Sequence, residues 1–392
     1  MLLSLALILL SAITLSEIML RLKLPPQLGM MIAGVIIGPY ALNLITGHIL
    51  DISAEIRQIA LVIILLKAGL ALDIKALQKV GLPAILMCFV PASLEIIAVV
   101  IFAPLIFGIS YLEAAIMGSV LAAVSPAIVV PRMLKLIEQG YGIKSSVPLL
   151  VMAGASLDDI FVIILFTSFT NLFQGGSFNL TELICLPIFI LLMIALGILT
   201  GTVIAWFLRK CKLNDIIKVL LLLCISFLFI SLENALKDIL PLSGLLAVMS
   251  LGATIYKQEK DLAGNLSAKF TKLWIGAEMF LFVLVGAAID ISYIKSTAHY
   301  AILLILLALV FRIIGVMLCL LKAKLSKNEK LFTAIAYLPK ATVQAAIGGI
   351  PLALGIPSGH LILMVAVVSI IITAPIGAIG IDTTYKNLLK KD

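Results

Sequence analysis

The sequence predicts an all-α polytopic membrane protein of about 13 transmembrane helices, built as two inverted six-helix repeats in which helices 5 and 12 are broken and cross. Three observations predict this fold class. The 392 residues are 63% hydrophobic and only 12% charged, and the mean hydropathy is +1.26. Apolar runs have the length of bilayer spans, and two pairs of short motifs recur in the two halves.

The composition excludes a soluble protein. A soluble domain carries roughly 45–50% apolar and about 25% charged residues, and no soluble core is large enough to bury such an excess. The net charge of +8 does not indicate a nucleic-acid partner, because basic residues collect in the cytoplasmic loops of membrane proteins. We therefore predict a multi-pass protein of the plasma membrane that binds no nucleic acid.

Apolar runs between charged or turn-rich breaks define the predicted spans, which we number in chain order. The runs cover residues 2–20, 26–38, 56–72, 82–108, 111–136, 147–172, 184–208, 217–234, 239–256, 273–289, 300–322, 329–354 and 360–381. The first run has neither a basic start nor a small-residue cleavage site, so it is predicted to be a retained helix rather than a signal peptide.

Lysine and arginine fall mainly on one side of the predicted membrane. The loops after odd-numbered spans up to span 11, together with the C-terminal tail, hold 22 of them, and the opposite loops hold 3. The N-terminus is therefore predicted to lie outside and the C-terminus in the cytoplasm. The remaining basic residues, Lys67, Arg312 and Lys340, lie inside apolar runs.

The two halves of the chain share motifs in a consistent order. Span 3 ends in GLALDI and span 10 in GAAIDI, and spans 5 and 12 each carry a central proline, Pro126 and Pro339. Partners seven spans apart cross the membrane in opposite directions, which defines an inverted repeat. A mid-helix proline removes a backbone hydrogen bond, and in lipid the freed carbonyls must face protein or water. Spans 5 and 12 are therefore predicted to be broken helices that cross at a binding site.

Five ionisable residues are predicted near mid-depth, where charge is costly and usually functional. They are Glu95, Asp158, Asp159, Arg312 and Lys340. The repeat places Glu95 and Arg312 at equivalent positions, and we expect this pair to lock two helices together, because arginine stays charged and clamps carboxylates.

The adjacent acids Asp158 and Asp159 point about 100° apart on a helix, so one can face a cavity while the other faces Lys340. The five mid-depth charges sum to −1, which is stable in a low dielectric only when a monovalent cation or a proton neutralises it. Competition between the two is an exchange mechanism.

At these residues the sequence resembles the monovalent cation:proton antiporter superfamily, and most closely its NHA-type sodium/proton antiporters. The segments that carry the resemblance are LAAVSPAIVVPRML (121–134), GASLDDIFVI (154–163) and YLPKATVQAAIGG (337–349). The resemblance implies a homodimer. It also implies an ion-translocating core (82–172 and 300–382), a dimerisation scaffold (1–81 and 209–292) and a linking helix (183–208).

The resemblance also implies residue roles. Asp159 would carry the ion and Asp158 would pair with Lys340, and Ser125 is counted with the two acids as the predicted binding set for a monovalent cation or proton. A glutamate–arginine pair like Glu95–Arg312 is familiar in the NHA-type branch. The chain departs from many other antiporters, which carry an acid where it has Ser125, so the crossing lacks its own charge to offset the half-helix dipoles.

The expected function is exchange of sodium, or lithium, for protons by alternating access, with no enzymatic activity and no cofactor. A potassium/proton antiporter, a sodium-coupled symporter of organic solutes and a ligand-gated cation channel are alternatives. Intramembrane aspartyl proteases are disfavoured, because their two acids lie on different helices and one belongs to a GxGD motif that is absent here. If binding at Asp159 draws Asp158 away from Lys340, the lysine releases a second proton and exchange is electrogenic, which we favour; otherwise exchange is electroneutral.

Overall fold

The computed structural model describes residues 1–71, 81–174, 180–211, 213–236 and 244–391. Within these ranges the protein is helical throughout, and its sole β-type contact is an isolated bridge between Tyr141 and Lys391. Within the described residues, eight helical segments are long and apolar enough to cross a membrane, and three shorter apolar segments accompany them. The predicted all-α polytopic class is confirmed.

The helices of the first half follow the predicted runs, with one short addition that the runs did not predict. In chain order they are α1 (Leu2–Arg21), α2 (Pro26–Ile37), α3 (Gly47–Asp51), α4 (Ser53–Leu70), α5 (Leu82–Met87), α6 (Val90–Phe107), α7 (Tyr111–Leu121), α8 (Pro126–Glu138) and α9 (Val147–Phe173). The addition is α3, which is too short and polar to be found by an apolar run. Span 4 is divided into α5 and α6.

The second half contains longer helices than the apolar runs indicated. They are α10 (Leu180–Lys210), α11 (Asp215–Leu236), α12 (Gly244–Gln258), α13 (Lys260–Ala287), α14 (Ile291–Cys319), α15 (Lys327–Ala336), α16 (Thr342–Ile347), α17 (Ile350–Ala353) and α18 (Gly359–Leu388). The predicted starts of spans 10 and 11 are too late, because α13 and α14 begin with polar turns that an apolar criterion cannot detect. The predicted start of span 9 lies outside the described residues.

Spans 5 and 12 are both broken near their centres, as their prolines predicted. Residues 122–125 separate α7 from α8, and residues 337–341 separate α15 from α16. Pro126 is the first residue of α8, where its missing N–H costs nothing. The two extended segments touch, because the Ser125 amide donates a hydrogen bond to the Pro339 carbonyl at 2.8 Å. The broken helices therefore cross.

A pair of equivalent capping contacts supports the inverted repeat. Ser110 and Glu113 form a capping box at the start of α7, and Ser326 and Glu329 form another at the start of α15, 216 residues later. Glu113 also accepts from the amide of Ser358, just before α18. Glu329 correspondingly accepts from the side chain of Ser145, just before α9. In each half, the start of the broken helix is thus hydrogen-bonded to the segment that precedes the last span of the other half.

The described chain divides into two compact units. The first contains the described parts of 1–56, 76–166 and 279–392, and the second those of 57–75 and 167–278. In the first unit, α6 packs against α7 and α14, α1 against α2, and α15 against α18. In the second unit, α12 packs against α10 and α11. All the mid-depth charged residues named above belong to the first unit.

Candidate ion-binding site

Helix α9 brings Asp158 and Asp159 to the crossing. The Asp158 Oδ2 atom accepts a hydrogen bond from the Val124 amide in the first break at 2.9 Å. Close approach of α9 depends on Gly154, because a Cβ atom there would collide with the hydroxyl of Tyr337, the first residue of the second break. The glycine in the GASLDD segment therefore lets the aspartates reach the unwound backbone.

Arg312 of α14 is the hub of the site and is completely buried. Its Nη1 donates to Glu95 Oε2 at 2.8 Å and its Nη2 donates to Asp158 Oδ2 at 2.8 Å. Its Nε donates to the Tyr337 carbonyl at 2.7 Å, and Nη1 also donates to the Ala122 carbonyl. The structure thus contains a contact between Glu95 and Arg312, and the guanidinium fork extends it to both broken helices.

Lys340 pairs with Glu95, not with Asp158. Its Nζ atom lies 2.7 Å from Glu95 Oε1 and donates a hydrogen bond to the Leu121 carbonyl. The expected Asp158–Lys340 ion pair is wrong. Asp158 is occupied by Arg312, which has the geometry to reach both acids, and this leaves the second oxygen of Glu95 for the lysine.

Four of the five central charges therefore form a closed set. Glu95 and Asp158 supply two negative charges, Arg312 and Lys340 supply two positive charges, and every member contacts another at 2.8 Å or less. Asp159 is the fifth. It is 9% exposed, and among the described residues it makes neither a hydrogen bond nor an ion pair, with its Oδ1 atom both buried and unpartnered. The unbalanced charge of the site thus belongs to Asp159.

The charge that the first break lacks in its own sequence comes from other segments of the chain. Lys340 and Arg312 bind the last carbonyls of α7, at Leu121 and Ala122, where the helix dipole is negative. The Asp158 carboxylate lies at the Val124 amide, just before the positive start of α8. The dipoles of the two helix ends at the first break are therefore offset, although Ser125 carries no acid.

Polar residues of the second broken helix complete the crossing, and sequence reasoning did not select them. The Gln344 amide nitrogen donates to the carbonyls of Leu121 and Ala123, at 3.1 and 2.8 Å. The Thr342 hydroxyl lies 3.5 Å from that of Ser125, and both residues are buried. Gln344 and Thr342 could both have been selected from the sequence, because they lie inside the apolar run YLPKATVQAAIGG, where a polar side chain is costly unless it has a partner.

The inverted repeat extends to the backbone amides of the two breaks. The Val124 amide donates to Asp158, and the Lys340 amide, 216 residues later, donates to the Thr373 hydroxyl at 3.0 Å. Thr373 follows Asp158 by 215 residues, so the two side chains occupy equivalent places on α9 and α18. An acid in one half thus corresponds to a neutral hydroxyl in the other, and the repeat is asymmetric in charge.

Oxygen atoms near the crossing have the chemistry that a hard monovalent cation requires. The Asp159 carboxylate supplies a negative charge without a competing partner, and the buried Oδ1 atom of Asp158 is also free of a hydrogen bond. The hydroxyl groups of Ser125 and Thr342 add neutral oxygens at the break. Alkali cations and protons are both bound by such groups, and a carboxylate can hold only one at a time.

Comparison with known proteins identifies the family of this chain. The family model described as the transmembrane region of sodium/hydrogen exchangers matches residues 5–386. The chain belongs to the sodium/hydrogen exchanger family. The resemblance noted in the sequence is therefore confirmed.

Relatives and solved structures extend this result. The chain is 34% identical to human sodium/hydrogen exchanger 9B1, over 91% of this chain and 71% of the relative. It is 34% identical to sodium/hydrogen exchanger 9B2 of Xenopus tropicalis, over 93% and 69%. The sodium proton antiporter MjNhaP1 of Methanocaldococcus jannaschii at pH 8 shares its fold, with a TM-score of 0.85 at 22% identity, covering 98% of this exchanger and 97% of that chain.

Proposed function

We propose that the protein exchanges sodium ions for protons across a membrane, with Asp159 as the group that carries either ion. The observation that carries the proposal is the isolation of Asp159 beside a closed and neutral set of four charges. An uncompensated carboxylate in a low-dielectric site must take up a proton or a cation. Because the two compete for one charge, release of a proton accompanies binding of a cation.

Exchange further requires that Asp159 face each side of the membrane in turn. We assign residues 82–172 and 300–382 to a moving core and residues 1–81 and 209–292 to a scaffold that dimerises, joined by the linking helix 183–208. All four members of the charged set belong to the residues assigned to the core, so the set can move with the core without breaking its ion pairs. We further propose that the protein lies in the plasma membrane, with its N-terminus outside the cell and its C-terminus in the cytoplasm.

The experiment is cation-driven proton efflux from proteoliposomes, measured by recovery of a quenched pH-sensitive dye. We expect recovery on addition of sodium, and of lithium as the smaller competitor for the same oxygens. Recovery with potassium alone would assign potassium/proton exchange instead. Sodium-dependent uptake of an organic solute without proton movement would contradict the proposal and favour a symporter.

We also propose that one proton is exchanged for one cation. The electrogenic scheme required Asp158 to hold Lys340 until the cation arrived, but the lysine contacts Glu95, and Asp158 contacts Arg312. If Lys340 lost its proton, the buried four-charge set would carry an uncompensated −1, which is costly in a low dielectric. Lys340 is therefore expected to keep its charge through the cycle.

The stoichiometry predicts a voltage-independent balance point. With the proteoliposome voltage clamped by potassium and valinomycin, the sodium gradient that stops net proton flux is expected to equal the proton gradient at every voltage. Lys340→Gln removes the positive charge that pairs with Glu95 and should reduce exchange severely. Lys340→Arg keeps that charge and is the matched control. A balance point that shifts with voltage would restore the electrogenic scheme.

A further inference from the structure

A second charged site lies along α8, the helix that begins directly after the first break. It is a cavity of about 500 Å³ between the α1–α2 connection, α8 and the end of α18. Lys23, Arg132 and Lys135 line it, with Asp382 as the one acid, so its net charge is +2. All four residues lie at the side of the membrane that the basic loops identify as cytoplasmic.

Part of this positive charge is unpaired. Arg132 is anchored, since its Nε lies 3.2 Å from Asp382 Oδ2 and its Nη1 donates to the Ile128 carbonyl at 3.0 Å. In contrast, the ammonium groups of Lys23 and Lys135 form no ion pair within the part of the chain that the structure describes. Lys23 is held in place by a backbone turn after α1, in which its amide donates to the Leu20 carbonyl.

The cavity is also partly apolar and adjoins the crossing. Leu20, Leu24 and Leu136 contribute to its wall, and Ala127 and Ile128, which follow the first break directly, form another part. A positive cavity at the inner approach to a cation site repels the transported ion. An anion bound between the lysines would remove that repulsion.

We infer that this cavity binds a phosphate group, and that the ligand is an anionic phospholipid headgroup of the cytoplasmic leaflet. Basic pockets between transmembrane helices on that side recognise such headgroups, and here Lys23 and Lys135 provide the charge while the leucines accommodate the glycerol and the first acyl carbons. The volume exceeds that of a phosphate ion alone. The bound lipid neutralises the cavity and raises the local concentration of sodium at the inner approach. This regulatory role rests on the proposed exchange function.

The test compares exchange in two vesicle compositions at equal ionic strength, one of phosphatidylcholine and one that also contains phosphatidylglycerol. Phosphatidylglycerol is expected to lower the KM for sodium added on the cytoplasmic side several-fold, with little change in kcat. The double variant Lys23→Gln/Lys135→Gln is expected to have the lower KM already in phosphatidylcholine, and to respond only weakly to phosphatidylglycerol.

The matched control is Lys269→Gln/Lys272→Gln, which removes two exposed charges from α13 on the same side of the membrane and outside the cavity. It should respond to phosphatidylglycerol as the wild type does, because the general surface potential acts on both. An equal response of the wild type and the cavity variant would overturn the proposal. If inorganic phosphate added to phosphatidylcholine vesicles lowers the KM as fully, the site is confirmed but its ligand is a soluble phosphate.

Binding is measured separately from transport. Purified wild-type protein is expected to retain phosphatidylglycerol in native mass spectrometry after detergent exchange, and the Lys23→Gln/Lys135→Gln variant to lose it, while the α13 control retains it. Retention without any sodium/proton exchange would refute the proposed function but support the lipid site. Exchange without selective retention, and without a phosphate effect, would refute the lipid site alone.

Discussion

Asp159→Asn is expected to reduce sodium/proton exchange to the level of protein-free vesicles while leaving the fold intact. The amide has the shape of the carboxylate but cannot take up a proton or balance a cation. Because Asp159 has no hydrogen bond or ion pair within the described residues, its neutralisation breaks no contact. Removal of a buried and unpaired charge should leave the thermal midpoint unchanged or raise it.

The measurement is dye recovery in proteoliposomes, together with the thermal midpoint in detergent. Asp261→Asn, at an exposed position of α13, is the matched control and should exchange at the wild-type rate. Exchange at the wild-type rate in purified Asp159→Asn would contradict the assignment of Asp159 as the group that carries the ion. Loss of both exchange and folding would instead place Asp159 in the structural network.

Arg312→Met is expected to cause the largest loss of stability of any change in the site. It removes the partner of two buried carboxylates, Glu95 and Asp158, and leaves the carbonyls of Ala122 and Tyr337 without that donor. Breaking one buried pair costs about 3–5 kcal/mol, and here two acids lose contacts at once. Arg312→Lys should also be strongly destabilising, because one ammonium cannot reproduce the planar fork that reaches all four groups.

The control is Arg209→Met, since Arg209 forms a surface pair with Glu259 at 3.4 Å and is largely exposed. Surface pairs contribute roughly 0–1 kcal/mol, so its thermal midpoint should barely change. Glu95→Ala is expected to lie between, below Asp159→Asn in stability, because Lys340 and one arm of Arg312 lose their acid. Equal midpoints for Arg312→Met and Arg209→Met would contradict the role of Arg312 as the hub.

The local features of the fold could be predicted from the sequence because each depends on a few neighbouring residues. Long apolar runs predict spans, since lipid cannot satisfy an exposed backbone. Pro126 and Pro339 predict the two breaks, since a proline in the middle of a helix removes a backbone hydrogen bond. The starts of α13 and α14 were less predictable, because polar first turns extend both helices beyond the apolar length that a span requires.

The sequence by itself determined which residues are costly in a bilayer, and so selected Glu95, Asp158, Asp159, Arg312 and Lys340. Only the tertiary structure decided which acid meets which base, and it assigned Lys340 to Glu95 and Asp158 to Arg312. Residues some 150 to 250 positions apart meet there within 3 Å, so a small change in helix packing or side-chain rotamer exchanges the partners. Charge type is a property of the residue, whereas pairing depends on distances between helices that no short stretch of sequence encodes.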